Sequence, residues 1–120
     1  MTGNPANPTR GEIWRVNFDP TIGAEIKKTR PAIVISSDAV GRLPLKLTVP
    51  ITTWDEAFAR NFWHIRIEPD ALNHLSRPSA ADTLQVRCVD RQRFVERMGR
   101  VSPAVLEEIV SAVAAVIEYQ

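Results

Sequence analysis

Short alternating runs of apolar and polar residues dominate the first hundred positions. From Glu12 to Phe18, Trp14, Val16 and Phe18 share one face, and Ile13 breaks the alternation. Ala32 to Ile35 is a continuous apolar run, the pattern of a strand buried on both faces. Lys46 to Ile51 places Leu47, Val49 and Ile51 together. Trp63 to Ile67 sets Trp63, Ile65 and Ile67 against His64 and Arg66. Leu84 to Val89 places Leu84, Val86 and Cys88 on one face, and Glu96 to Val101 is a weaker run around Met98. Nine prolines cut the chain into pieces too short for core helices, and all but Pro103 precede residue 80. Five or six short strands in this space predict a small barrel or strongly bent sheet.

After Ser102-Pro103 the period changes. Ser102 is an N-cap and Pro103 suits the first helical position. Leu106, Ile109, Val110, Val113 and Ile117 recur at helical spacing, and Glu107 and Glu108 lie near the positive end of the helix dipole. This predicts a helix over about 103–118 packed on the barrel. Asp90 to Phe94 reads as a single helical turn.

The 120 residues suit one domain. We divide them into a flexible tail over 1–9 and a single domain over 10–120. Apolar residues make up 44% and charged residues 24%, which excludes a disordered or collagen-like chain. The longest apolar run, Ala112 to Ile117, is far below the roughly 20 residues that span a bilayer. Residues 1–10 contain no apolar stretch resembling a secretion signal. Cys88 is alone and forms no internal disulfide. A soluble, cytoplasmic protein without membrane contact is the expectation. The net charge of +1 divides into +4 over residues 1–100 and −3 over 101–120. A mildly basic body weakly favours a polyanionic partner.

Common metal and nucleotide signatures are missing. His64 and His74 stand ten residues apart without a cysteine pair, and the five glycines are scattered. No cofactor or metal site is expected. The informative stretch is Asp19 to Pro31, a long connection carrying Glu25, Lys27, Lys28 and Arg30. Pro31 biases Arg30 toward extended backbone. Taken alone, these residues describe first of all a solvated loop whose arginine anchors a strand end.

The ordered pieces nevertheless resemble a known family. Arg10-Gly11-Glu12-Ile13-Trp14, Asn17-Phe18-Asp19-Pro20-Thr21, Gly23-Ala24-Glu25 and Arg30-Pro31-Ala32-Ile33-Val34-Ile35 look like the opening of the MazF/PemK toxins of type II toxin–antitoxin pairs. Val49-Pro50-Ile51-Thr52-Thr53, Gln85-Val86-Arg87-Cys88-Val89-Asp90, Gly99-Arg100-Val101 and the closing helix continue the match over about residues 10–118. The resemblance implies an SH3-like barrel of about five to seven antiparallel strands with a C-terminal helix, working as a homodimer. It implies metal-independent, sequence-specific cleavage of single-stranded RNA and a cognate antitoxin. DNA would be met only through the antitoxin complex.

By the same resemblance Arg30 and Thr52 occupy the family's catalytic positions, with Glu25 a third participant in some members. Such cleavage uses the substrate's 2′-OH as nucleophile on the adjacent phosphate. A guanidinium offers forked donors to phosphate oxygens and is a poor base, so Arg30 is assigned charge stabilisation first. Thr52 adds a hydrogen bond, and Glu25 takes or holds a proton. Lys27, Lys28, Thr53, Trp54 and Arg87 are the substrate-binding candidates, Trp54 as a stacking surface for a base. The RNA groove is expected near the dimer seam, between the 19–31 loop and the strand ending at Thr52.

Several positions depart from the family pattern. Ile26, Lys27 and Lys28 replace a glutamine and small residues, and a histidine that some members carry before the loop glutamate is Ala24 here. Asp82 and Leu84 stand where some members place a catalytic Arg and Asp. His64 is expected on the exposed polar face of its strand and His74 in a loop, both without a catalytic role. Trp14 and Cys88 are expected to pack. The arginines at 87, 91, 93, 97 and 100 form either a solvated surface or a track for RNA or antitoxin. The alternatives are a barrel of this fold with dead chemistry, or one acting on a protein such as a topoisomerase.

Overall fold

Because Ala32, Ile33, Val34 and Ile35 are all apolar, the strand that holds them needs a core on each side. The computed structural model, which describes residues 7–119, supplies two. Ile33 and Ile35 join Ile13, Val49, Ile51, Ile67, Ala81, Val101 and Ile109 in one cluster. Ala32 and Val34 join Val16, Phe18, Val89 and Phe94 in the other.

The described strands are β1 (Glu12–Asn17), β2 (Thr29–Val34), β3 (Leu45–Thr53), β4 (His64–Ile67), β5 (Ser79–Asp82), β6 (Arg87–Asp90) and β7 (Phe94–Arg100), followed by helix α1 (Pro103–Val116). They form one antiparallel sheet in the order β4-β5-β3-β2-β1-β7, with β6 also on β3. The mainly β fold of seven strands and a C-terminal helix is the one expected. Strand β3 organises it: one edge pairs with β2, and the other serves β6 along Leu45–Thr48 and β5 along Ile51–Thr53. Short 3-10 turns join the strands, including the expected turn at Arg91–Arg93. Helix α1 starts where Ser102 Oγ accepts from Val105 N, and it buries Ile109 and Ala112.

The two cores explain the broken alternation of β1. Ile13 faces the first cluster, and Val16 and Phe18 face the second, across register shifts against β7. Trp14 is half-buried at the edge of the second cluster, edge-on to Phe94 at 5.8 Å. Of the tail expected over 1–9, residues 1–6 lie outside the described residues. Pro8 is fully buried, and Thr9 N donates to Glu12 Oε1.

Three expectations are corrected. Strand β5 was not anticipated: Ser79-Ala80-Ala81-Asp82 has no apolar alternation, yet all four residues are buried. Small side chains let β3 and β4 flank it closely, and that fit is tertiary. The run expected over Leu84–Val89 is strand only from Arg87. Thr83–Gln85 is a 3-10 turn that leaves Leu84 58% exposed, and Cys88 is exposed while Val89 packs inward. His64 is not on an exposed face: its side chain is 8% exposed. The Glu56–Arg60 turn folds Phe58 over the ring, stacked at 3.9 Å and 7°.

Candidate active site

Arg30 lies in β2 and Thr52 in β3, and the strand register brings them together. Val34 pairs with Thr48, Ile33 with Val49 and Ala32 with Pro50. Carried two residues further, the same register sets Arg30 across from Thr52. Both line an open cavity of about 340 Å³ at the strand ends. Thr53, paired with Ser79, lies beside them. The opposite wall is the segment His74–Arg77. The lining includes two guanidiniums, Arg30 and Arg77, and no carboxylate. Arg30 Nε donates to Lys27 O at 3.3 Å, and no ion pair engages its guanidinium among the described residues. It is exposed, charged and available to an anion.

Glu25 stands elsewhere. It lines a neighbouring cavity of about 440 Å³ with Ile26, Pro50, Gln85 and Arg87. Pro50 of this lining and Thr52 of the other share a face of β3 about 7 Å apart, so the two cavities are neighbours along that strand. The Glu25 carboxylate accepts from Ile22 N at 2.7 Å and closes its own turn. Arg30 and Thr52 are therefore brought into one cavity, and Glu25 into the next.

The 19–31 loop is held at several points. Lys28 has φ +68, the left-handed region that favours glycine. Its N donates to Asp19 Oδ1 at 3.0 Å, and its carbonyl accepts from Phe18 N at 3.0 Å. Lys27 and Lys28 are both exposed. Arg87 Nη1 donates to Phe18 O at 3.0 Å and sits 5.8 Å from the Phe18 ring. Arg93 Nη1 donates to Asn17 O and Asp19 O at 3.0 and 2.6 Å. Two of the five clustered arginines thus fasten the root of the loop, and a third, Arg97, pairs with Glu12 at 2.6 Å.

A further tether comes from Gln85. Its Oε1 accepts from Ile26 N at 2.6 Å, and its Nε2 donates to Asp82 Oδ2 at 3.2 Å. The same carboxylate oxygen is 3.6 Å from His64 Nε2, and Asp82 Oδ1 has no partner among the described residues. Trp54 Nε1 donates to Glu56 Oε1 at 3.1 Å, and the Arg66 guanidinium covers its ring at 4.9 Å.

His74 and Arg77 also line this cavity, a placement that the sequence did not signal. They lie more than twenty positions from Thr52, and only the folding of the 69–78 segment against β7 and β3 carries them into the cavity. No spacing in the chain signals that closure.

Strands around two cores and an open cavity at the ends of β2 and β3 lined by two arginines define the class: a small antiparallel β-barrel protein with a C-terminal helix. A family model described as PemK-like, MazF-like toxin of type II toxin–antitoxin system matches residues 9–117, and the chain belongs to that family. A protein of Mycobacterium tuberculosis named endoribonuclease MazF9 is 30% identical over 109 residues, covering 86% of this chain and 90% of that one. The crystal structure of MazF from Deinococcus radiodurans has a similar fold, with TM-score 0.78 at 24% identity over 92% of this chain and 96% of that one. So does an endoribonuclease in complex with its cognate antitoxin from a mycobacterial species, with TM-score 0.74 at 16% identity over 95% and 98%.

Proposed function

We propose that this chain is the toxin of a type II toxin–antitoxin pair and cleaves single-stranded RNA at short sequence motifs without a metal ion. The observation that carries this is that Arg30 and Thr52 line one cavity together with a second arginine and no carboxylate. The arginine holds the scissile phosphate and stabilises the charge that builds on it. Thr52 donates to the same phosphate. The ribose 2′-OH attacks phosphorus, the bond to O5′ breaks, and a 2′,3′-cyclic phosphate remains. DNA lacks the nucleophile and stays whole.

Lys27, Lys28, Thr53, Trp54 and Arg87 hold the flanking nucleotides, with Glu25 at the adjoining cavity as a third participant. The family to which the chain belongs supports a cognate antitoxin as partner. An acidic, extended antitoxin segment competes with RNA for the cationic cavity. The protein works in the cytoplasm as a homodimer. A groove between the β4 end and α1, lined by Phe62, Ile65 and Ala112 and edged by Glu107 and Glu108, offers surface for the second copy.

The test is to incubate the purified protein with mixed RNA in EDTA and to map the new ends. Cyclic or 3′-phosphate ends at a recurring motif are expected. A 3′-OH end, strict dependence on magnesium, or intact RNA beside a poisoned topoisomerase overturns the reading.

A further inference from the structure

Cleavage by a 2′-OH needs a group that removes its proton. Neither Arg30 nor Thr52 is suited to that, since a guanidinium stays protonated and a hydroxyl is a weak base. Glu25 lies in the adjoining cavity with its carboxylate already accepting from Ile22 N. Among the residues lining the Arg30–Thr52 cavity, His74 alone carries an imidazole, whose ring offers both a nitrogen donor and a nitrogen lone pair.

One ring nitrogen is hydrogen-bonded, and the other has no hydrogen-bond partner among the described residues. His74 Nδ1 lies 2.8 Å from Met98 O. A carbonyl only accepts, so Nδ1 carries the hydrogen, and in the neutral ring Nε2 keeps its lone pair. The backbone beneath is fixed by Asn73, which is buried. Its Oδ1 accepts from Asp70 N and Leu75 N, and its Nδ2 donates to Glu68 O. Asp70 Oδ1 accepts from Leu72 N and Asn73 N. His74 itself sits at φ +54, a conformation that histidine tolerates better than most residues. Support of this kind holds a reacting group in place before the substrate arrives.

We infer that His74 is the general base of the reaction. This rests on the ribonuclease reading. Nε2 takes the proton of the 2′-OH as the O2′–P bond forms. The P–O5′ bond breaks, O5′ takes a proton from water, and the imidazolium returns its proton to solvent.

The experiment compares His74→Asn and His74→Ala with the wild type on one RNA substrate containing the mapped motif. Asparagine tolerates the left-handed backbone, and its amide is able to donate to Met98 O, so that variant keeps the loop and lacks the base. Both variants are expected to lose about 10²–10³-fold in kcat, to keep the wild-type KM within about twofold, and to regain activity with added imidazole. A substrate with sulfur at the 5′ bridging position, whose leaving group needs no proton, should stay slow with both. Wild-type kcat in His74→Asn beside a slow His74→Ala marks a structural role and overturns the inference. So does rescue by the sulfur substrate, which makes His74 the general acid. Wild-type protein that leaves RNA intact refutes the ribonuclease reading instead.

Discussion

Gly99 is where the barrel and the cavity wall meet most tightly. It lies near the end of β7, opposite Ile13. A Cβ built there would stand 2.4 Å from Leu72 O and 3.1 Å from Asn73 C and O. Ordinary contact begins at 3.4 Å, so Gly99→Ala requires the two backbones to part by about 1 Å. Both partners are main chain, and no side-chain rotation relieves the clash. The parting stretches the hydrogen bonds Arg100 N to Leu72 O (3.0 Å) and His74 Nδ1 to Met98 O (2.8 Å). Overpacking of this kind costs about 1–3 kcal/mol, and a weakened hydrogen bond about 1 kcal/mol. The expected loss is about 2–4 kcal/mol, or roughly 10–20 °C in Tm for a domain of this size. The same 1 Å moves His74–Arg77 away from Arg30 and Thr52, which is enough to lower kcat/KM by about 10²-fold. Urea and thermal melts followed by circular dichroism, together with RNA cleavage kinetics, read both effects. A Gly99→Ala protein with the wild-type Tm within 2 °C (about the shift of half a kcal/mol) and unchanged kcat/KM refutes the reasoning.

Arg30→Ala is expected to abolish cleavage while shifting the melt little, because the exposed guanidinium loses one long hydrogen bond to Lys27 O and no ion pair among the described residues; Thr52→Ala loses less, about 0.5–1.5 kcal/mol of activation energy. Turnover kinetics on folded variants check both, and substantial cleavage by Arg30→Ala removes it from the site. Burial raises the Glu12 carboxyl pKa, but hydrogen bonds from Thr9 N, Trp14 and Arg97 outweigh it and hold the group below its ordinary 4.5. A depressed carboxylate stabilises the fold above its unfolded pKa and loses that contribution as pH falls through the folded value. Glu12→Gln should therefore cost about 1–2 kcal/mol at pH 7, with a gap to wild type that closes in urea melts below about pH 4; a pH-independent gap contradicts this. Gln85→Ala removes the acceptor for Ile26 N and one partner of buried Asp82. Amide exchange over residues 22–28 should rise about tenfold, the equivalent of a lost bond of about 1.4 kcal/mol, and unchanged exchange there removes the tether.

Local pattern was enough for six of the seven strands, wholly or in part, and for the helix. Period-two and period-3.6 repeats record which faces are buried, and Ser102-Pro103 marks a helix start by short-range hydrogen bonding and a fixed φ. The ordered motifs around Arg30, Thr52 and Gln85 made the family resemblance legible, and they named two residues that the fold places in one cavity. Strand β5 escaped because Ser79-Ala80-Ala81-Asp82 carries no periodic signal, and its burial comes from neighbours far along the chain. His64 escaped because alternation assigns a face but not what covers it; Phe58, from another turn, does so. His74 escaped for the same reason at longer range. Its place beside Arg30 depends on the backbone contact of Leu72 and Asn73 with Gly99, a fit between segments about 26 residues apart. Spacing along a chain reports periodic burial within one element, whereas a site assembled from several elements depends on packing that no single segment encodes.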